Sequence, residues 1–285
     1  MTKKVDIAQK NKKINPMTHN PPSPREIHLL CTMGLVLELL KNRRAQHKKS
    51  VALLCDPDIP SHQISNQVQK ALSYGIDLFL VGGSHLSIGN TTECVKLIKS
   101  LGAPNVVLFP GNEVQVVQEA DAILFMSLIS GRNPDFLISK QVAAAPFVKS
   151  SNLEAIPTGY MLVESGKLTS ALYISNTLPL PNNKPDIAAA TAMAGELLGM
   201  QLFYLDAGSG AEYPIPQSII HAVKSSTNGL VFVGGGIRTP LSAAAAWECG
   251  ADVVVVGNGI FEDDSLMADL TVALRQINQR TSVSS

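Results

Sequence analysis

The chain has 285 residues, and 45% of them are hydrophobic, which is enough for a large core, while its 23 basic residues balance its 23 acidic ones. A neutral chain has no general basic field that would recruit nucleic acid, so we expect no nucleic-acid partner. No apolar run approaches the roughly 20 residues of a membrane-spanning helix. The four scattered cysteines show no zinc-binding spacing, which favours reduced thiols in a cytoplasmic protein.

The first 24 residues are rich in Lys, Pro and Asn and end in "NPPSP", which predicts a disordered tail over 1–24. Residues 25–46 have the apolar spacing of a helix. From residue 51 onward, short apolar runs alternate with longer segments of helical spacing. The runs predict eight strands, at 51–56, 77–83, 105–111, 122–128, 158–164, 202–208, 230–236 and 252–258.

Helices are predicted between these strands. They include 61–75, 186–199 with Asp186 as N-cap, and 239–250 with Gly250 as C-terminal stop, and a last helix covers 263–279. The interval 105–122 is short for a full helix, so we expect one degraded helix there. The long segment 165–185 is predicted to cover part of the active-site mouth, because long loops in compact domains are often functional.

Strands that are apolar throughout are typical of sheets buried on both faces, and their alternation with helices indicates parallel units. Eight units predict an α/β fold, a (β/α)8 TIM barrel over 25–280. A doubly wound sheet is the alternative, but it needs two edge strands, and none of the eight runs resembles one.

The glycine-rich ends of the last three predicted strands indicate an anion site. "AGSG", "VGGGI" and "VGNGI" end consecutive units. In such barrels phosphate is bound by the late loops, where backbone N–H groups point at its oxygens. Ordinary turn glycines are the alternative interpretation, but three consecutive glycine-rich ends favour the phosphate pocket.

Oxygen ligands follow the first two predicted strands. Asp56 ends the first and Ser84 the second, and adjacent parallel strands bring their ends together. A carboxylate and a hydroxyl suit Mg2+, which fills the rest of its shell with water and substrate phosphate. Asp58 or Ser84 could instead cap the following helix, and this interpretation is favoured for Asp58. His62 and His85 could assist a diphosphate leaving group, but they are interpreted as solvated loop residues.

Asp206 lies between these two regions in strand order, where a carboxylate can act as a general base; a structural acid bonded to a neighbouring Tyr or Ser is the alternative. Tyr204 shares its strand face. Arg238 could reach a phosphate or form a surface ion pair. Arg132 and Asn133 could contact a diphosphate or simply start the next helix.

The motifs "DPD", "VGGS", "FPGN", "SLISGRNPDFLI", "YLDAGSGA", "VGGGIR" and "VVVGNGIFED" occur in this order over residues 27–280. Together they resemble the geranylgeranylglyceryl phosphate synthase family, in particular its second group. The resemblance implies Mg2+-assisted prenyl transfer. The 3-hydroxyl of sn-glycerol 1-phosphate attacks C1 of a polyprenyl diphosphate, usually geranylgeranyl diphosphate, and diphosphate leaves. The family motif has Glu where this chain has Asp206.

By position, the resemblance implies that Asp56 and Ser84 hold Mg2+ and that Asp206 is catalytic. The implied glycerol phosphate site comprises Tyr204, Leu205, Asp206, Ala207, Gly208, Ser209, Gly210, Gly234, Gly235, Gly236, Gly257 and Asn258. It also implies a homo-oligomer, dimer or hexamer, and the lipid product suggests peripheral membrane contact on release. A thiamin-phosphate-synthase-like enzyme, an FMN-binding oxidoreductase and a catalytically silent phosphate-binding barrel remain alternatives.

Overall fold

A computed structural model of the protein describes residues 35–257, Gly259 and residues 265–283. Within this part, eight parallel strands form a closed barrel in sequence order, and the last pairs with the first, as in Val51 opposite Val254. The predicted TIM barrel is therefore confirmed. The strands are β1 (Ser50–Cys55), β2 (Leu78–Val81), β3 (Asn105–Leu108), β4 (Ala122–Leu128), β5 (Glu154–Leu162), β6 (Leu202–Asp206), β7 (Leu230–Gly234) and β8 (Val253–Val256).

The described helices surround the barrel or close its ends. They are α1 (Leu35–Ala45), α2 (Ser61–Ser73), α3 (Thr91–Ser100), α4 (Lys140–Ser150), α5 (Ser170–Ser175), α6 (Pro185–Leu197), α7 (Gln217–Ser226), α8 (Pro240–Glu248) and α9 (Leu266–Val283). The predicted tail over 1–24 and the first part of the predicted helix over 25–46 lie outside the described residues. In the described part, no helix combines the length and the apolar character that crossing a membrane requires.

Alternation along each strand separates the barrel interior from the layer beneath the helices. On β6, Leu202 and Tyr204 belong to the interior cluster, whereas Phe203 and Leu205 belong to the outer cluster that packs against the helices. Both faces are buried, which explains the continuous apolar runs in the sequence. Asp206 follows Tyr204 on the interior face and therefore lies at the barrel mouth.

The degraded helix is confirmed between β3 and β4. The described chain forms only a short 3-10 turn there, Glu113–Gln115. Pro110 and Gly111 precede this turn, and the Asn112 side chain accepts a hydrogen bond from the Val114 N–H. A single turn covers less of β3 and β4 than a full helix would. The barrel therefore has space beside these two strands that a helix would otherwise fill.

α1 closes the opposite end of the barrel, where the strands begin. Val36, Leu37 and Leu40 pack against the interior cluster. The Glu154 carboxylate, at the start of β5, accepts hydrogen bonds from the Val36 and Leu37 N–H groups at 2.8 and 2.9 Å. These are the unpaired amides of a helix N-terminal turn, which favour a negative charge.

Two predicted helix boundaries had different outcomes. Asp186 is not the N-cap of α6; Lys184 occupies that position, Pro185 begins the helix, and Asp186 lies in its first turn. Proline is pre-organised for the first helical position, so the N-cap lies two residues before the predicted one. Gly250 does follow the end of α8, with a φ of 116° that disfavours side chains.

Candidate active site

The C-terminal ends of the strands surround a cavity of about 440 Å³. It brings the two predicted regions of the mouth together. The predicted site residues that line it are Asp56, Ser84, Tyr204, Asp206, Gly208, Ser209, Gly210, Gly235, Gly236 and Gly257. Asn258 lies outside the described residues. Leu205 and Ala207 are buried in the outer core and do not line the cavity, and the Ala207 N–H donates to the Gly234 carbonyl.

Asp206 is held at the mouth by two hydrogen bonds. One carboxylate oxygen accepts from the Tyr160 hydroxyl at 2.5 Å and the other from the Gly208 N–H at 2.7 Å. The residue is only 7% exposed, and burial raises the pKa of its carboxyl although both hydrogen bonds oppose this shift. A raised pKa makes the carboxylate a better proton acceptor than a solvated aspartate.

Tyr160 was missed by the sequence interpretation. It lies on β5 directly opposite Tyr204 on β6. Burial and the nearby Asp206 charge raise the pKa of the Tyr160 hydroxyl well above its ordinary value, so this group stays protonated and donates. Tyr160 lies two residues before Leu162, which pairs with Asp206. This position could have indicated the contact, but only if the register between β5 and β6 had been known.

Tyr204 belongs to an aromatic cluster beneath the cavity. Its ring stacks on Phe109 with centroids 4.8 Å apart, and Tyr160 meets both rings edge-on. A Cβ at Gly234 would come within 2.5 Å of the Tyr204 hydroxyl oxygen. The absence of a side chain at Gly234 therefore leaves room for the Tyr204 hydroxyl. This packing explains a glycine at position 234 without any contact between Gly234 and a phosphate.

The glycine-rich loops after β6 and β7 pack against each other. Gly235 has a φ of 80°, and a Cβ there would lie 2.7 Å from the Gly208 nitrogen. Only glycine allows this approach. Both residues line the cavity, so side-chain-free backbone forms its wall, as the sequence predicted for an anion pocket.

Asp56 and Ser84 line the same cavity from the side of β1 and β2. Asp56 accepts a hydrogen bond from the Asp58 N–H at 3.0 Å, and burial raises the pKa of its carboxyl. Among the described residues no group of three or more His, Cys, Asp or Glu could hold a metal. Any ion at Asp56 would therefore depend on Ser84, water and substrate for most of its ligands.

Asp58 does not cap the helix that follows it, contrary to the prediction. Its carboxylate accepts hydrogen bonds from the N–H groups of Ser87, Ile88 and Gly89, at 2.8, 3.0 and 2.7 Å, while Pro60 stands at the N-cap of α2. These three charge-assisted bonds lower the pKa of the Asp58 carboxyl. Asp58 therefore fixes the loop after β2, which carries Ser84.

The other predicted polar residues have mixed positions. His85 and Arg238 line the cavity, whereas His62 is exposed on α2. Arg238 donates to the Ala211 carbonyl at 2.7 Å and so braces the loop after β6. Asn133 and Arg132 likewise donate to backbone carbonyls, those of Ser175 and Gly131 at 2.7 Å each, and neither lines the cavity.

A second, mostly apolar cavity of about 100 Å³ adjoins the first and shares Gly83, Ser84 and Phe109 with it. It lies where the degraded helix leaves β3 and β4 uncovered. Glu113 and Lys140 line it and approach each other to 3.6 Å. Its apolar lining includes Val116, Ile123, Phe125, Met126, Leu128, Phe136, Ala144 and Ile174. The sequence alone did not locate this groove.

Known proteins are similar to this chain in sequence and in fold. A model of the PcrB family matches residues 43–275. The geranylgeranylglyceryl phosphate synthase of Spirosoma linguale is 46% identical over 244 residues, 85% of this chain and 98% of that protein. The synthase of Methanothermobacter marburgensis is 42% identical over 223 residues, 76% of this chain and 87% of that protein.

Among solved structures, that of (S)-3-O-geranylgeranylglyceryl phosphate synthase from Thermoplasma acidophilum, in complex with sn-glycerol-1-phosphate, superposes with a TM-score of 0.78 at 29% identity. The match covers 86% of this chain and 98% of that one.

Proposed function

The chain belongs to the PcrB family, and from this membership we propose that it is a prenyltransferase that makes an ether-linked prenylglyceryl phosphate. Its substrates are sn-glycerol 1-phosphate and a polyprenyl diphosphate, most simply geranylgeranyl diphosphate, the group named in its relatives. The observation that carries the proposal is the shared cavity, which Asp206, the glycine-rich loops and the Asp56–Ser84 pair line together.

In the proposed reaction, Asp206 accepts the proton of the glycerol 3-hydroxyl. The hydroxyl oxygen forms a bond to C1 of the prenyl chain, and the bond from C1 to the diphosphate oxygen breaks. Tyr160 and the Gly208 N–H hold the carboxylate in a fixed orientation. The raised pKa of Asp206 suits this role because a stronger base removes the proton more readily.

The glycine-rich wall is proposed to bind the phosphate of glycerol phosphate. Gly208, Gly210, Gly235 and Gly236 line the cavity with bare backbone. Neutral N–H donors satisfy phosphate oxygens without large desolvation of charged side chains. Anchoring the phosphate there holds the attacking hydroxyl near Asp206, which is a proximity effect.

Asp56 and Ser84 are proposed to hold Mg2+. The donor set fits a hard cation, because a carboxylate and a hydroxyl line one cavity and the Asp56 carboxylate is partly desolvated, a state that a cation relieves. When bound, the ion supplies neutralisation of the diphosphate charge. Asp58 supports this site by fixing the loop after β2.

The apolar cavity beside β3 and β4 is proposed to receive the prenyl chain. It opens into the first cavity at Gly83, Ser84 and Phe109, next to the proposed diphosphate site. A chain that extends from this point would have its reactive C1 end between Ser84 and Asp206. The apolar side chains around the groove would remove the chain from water, which is favourable by roughly 25 cal/mol per Å².

An assay with glycerol 1-phosphate, radiolabelled geranylgeranyl diphosphate and Mg2+ tests the function. We expect an ether-linked lipid phosphate and released diphosphate, and a loss of about 10²–10⁴-fold in kcat for Asp206→Asn, because the general base is removed. Asp206→Glu is the matched control, since it keeps the carboxylate. Equal activity with the 3-phosphate enantiomer, or ligand binding without product, would contradict the proposal.

We further propose that residues 25–280 form one catalytic domain of a cytoplasmic homo-oligomer, a dimer or a hexamer, that releases its lipid product at a membrane. Large apolar side chains are exposed on and around α5 and at the end of α6, among them Leu168, Tyr173, Leu178, Leu197 and Leu198. Exposed apolar groups in this number favour burial against another copy. Sedimentation analysis of the purified chain would detect a monomer, which would contradict this proposal.

A further inference from the structure

The segment 165–170, "SGKLTS", lies against the loop that follows β6. The Ser165 carbonyl accepts hydrogen bonds from the N–H groups of Glu212 and Tyr213, at 3.1 and 3.2 Å. Ser170 lines the main cavity. The sequence predicted that this region covers the mouth but gave its side chains no role.

Thr169 has a buried hydroxyl aimed at the glycine-rich wall. The residue is 3% exposed, and its Oγ1 has no hydrogen-bond partner among the residues that the structure describes. Although Thr169 precedes α5, its side chain does not bond the helix amides. Its Oγ1 lies 2.6 Å from the position that a Cβ would take at Gly208, which lines the cavity. A buried hydroxyl without a hydrogen-bond partner destabilises the fold. A ligand oxygen within reach of Oγ1 would supply the missing partner.

Lys167 places a cation at the same end of the cavity. Its Nζ lies 3.5 Å from the position that a Cβ would take at Gly210, another residue of the cavity wall. Arg238, which also lines the cavity, already donates to the Ala211 carbonyl at 2.7 Å. The Lys167 side chain is exposed and long enough to move toward a bound anion.

We propose that Thr169 and Lys167 donate hydrogen bonds to the phosphate of bound glycerol phosphate, beside the backbone amides of the glycine-rich loops. This inference rests on the proposed function and names two further residues that determine its specificity. A phosphate has three strong acceptor oxygens and up to two negative charges. A hydroxyl and an ammonium on this side would satisfy oxygens that the amides do not reach, and would favour phosphorylated over free glycerol.

Calorimetry with glycerol 1-phosphate, and separately with inorganic phosphate, tests the inference without turnover. We expect Thr169→Val and Lys167→Gln each to weaken the binding of both probes about tenfold, the effect of one hydrogen bond to a charged group. Thr169→Ser and Lys167→Arg should restore most of it. In the reaction, the KM for glycerol 1-phosphate should rise while the KM for the prenyl diphosphate stays unchanged.

Two variants far from the mouth serve as matched controls. Thr271→Val removes another buried threonine hydroxyl, on α9, and Lys48→Gln removes an exposed lysine beside β1; neither should change phosphate binding. If Thr169→Val fails to fold in a melting experiment, Lys167→Gln still carries the test because it changes an exposed side chain.

The outcomes separate this inference from the proposed function. A wild-type protein that does not bind glycerol 1-phosphate would contradict both. A wild-type protein that binds it, with Thr169→Val and Lys167→Gln binding equally well, would overturn the inference alone. Equal losses in Thr169→Ser and Thr169→Val would also overturn it, because they would show that Thr169 acts through packing.

Discussion

At the residue scale, Tyr160 and Asp206 form the central pair of the site, and their titration gives a pH test. Burial raises the pKa of Asp206, and the Tyr160 hydrogen bond partly opposes that rise. Tyr160→Phe removes the opposing bond, so the pKa of Asp206 should rise further. Because the ionised carboxylate is the proposed base, activity should appear as pH rises through this pKa.

We therefore expect the acid limb of the kcat profile to move to higher pH in Tyr160→Phe, with much of the activity recovered in alkaline buffer. The profile of kcat against pH for wild type and variant is the measurement. Tyr74→Phe, a change outside the cavity lining, is the matched control. A uniform loss of kcat at every pH would show that Tyr160 does not act through the ionisation of Asp206.

Single residues differed in how well the sequence predicted them. The position of Asp206 and most of the glycines at the cavity was predictable because strand ends are visible as the points where apolar runs stop. Tyr160 was missed because its bond to Asp206 depends on the register between β5 and β6. The Asp58 prediction was wrong because a carboxylate at a loop start can accept bonds from any nearby amides, and those of Ser87–Gly89 are brought there by tertiary structure.

At the element scale, the meeting of the loops after β6 and β7 depends on Gly235. Its φ is 80°, and a Cβ would lie 2.7 Å from the Gly208 nitrogen. Gly235→Ala should therefore displace the wall and raise the KM for glycerol 1-phosphate about tenfold or more. Gly199→Ala is the control for backbone strain alone. Gly199 has a φ of 94°, but a Cβ there would have no atom within 4 Å. If both variants lose glycerol phosphate binding equally, the packing argument is wrong.

The degraded helix between β3 and β4 gives the apolar groove its place, and Ala144 on α4 faces into it. Ala144→Phe should fill part of the groove and shift the preferred prenyl diphosphate to a shorter chain. Mass spectrometry of products from a mixture of C15, C20 and longer diphosphates measures this shift. Ala143→Phe places the same side chain on the exposed face of the helix and should leave the product distribution unchanged. An unaltered product distribution in Ala144→Phe would contradict the proposal that the prenyl chain binds in this groove.

The strands and helices were largely predictable because buried parallel strands are apolar throughout and their spacing fits eight units. The missing helix was also predictable, from the short interval after β3. The groove that it opens was not, because Phe125, Phe136 and Ala144 come from separate segments whose contact depends on helix orientation. The Asp186 boundary failed because Pro185 is the stronger local determinant.

At the scale of the whole molecule, the proposed function divides the mouth into a side at β1 and β2, where Mg2+ is proposed to bind, and a side at β6 to β8 that needs no metal. The two sides should therefore respond differently to chelation. EDTA should abolish turnover, and added Mg2+ should restore it, while calorimetric binding of glycerol 1-phosphate should persist without metal. Asp56→Asn should reproduce the effect of EDTA. Loss of glycerol phosphate binding on chelation would contradict the division.

The plug formed by α1 has a consequence for the traffic of molecules. Val36, Leu37 and Leu40 close one end of the cylinder, and Glu154 holds the helix there. In the described part of the chain, the cavity at the other end and the groove beside it then form the doorway for both reactants and both products. A lipid that is still seated in this doorway obstructs the next headgroup, so the rate of its departure sets an upper limit on how fast the cycle can repeat.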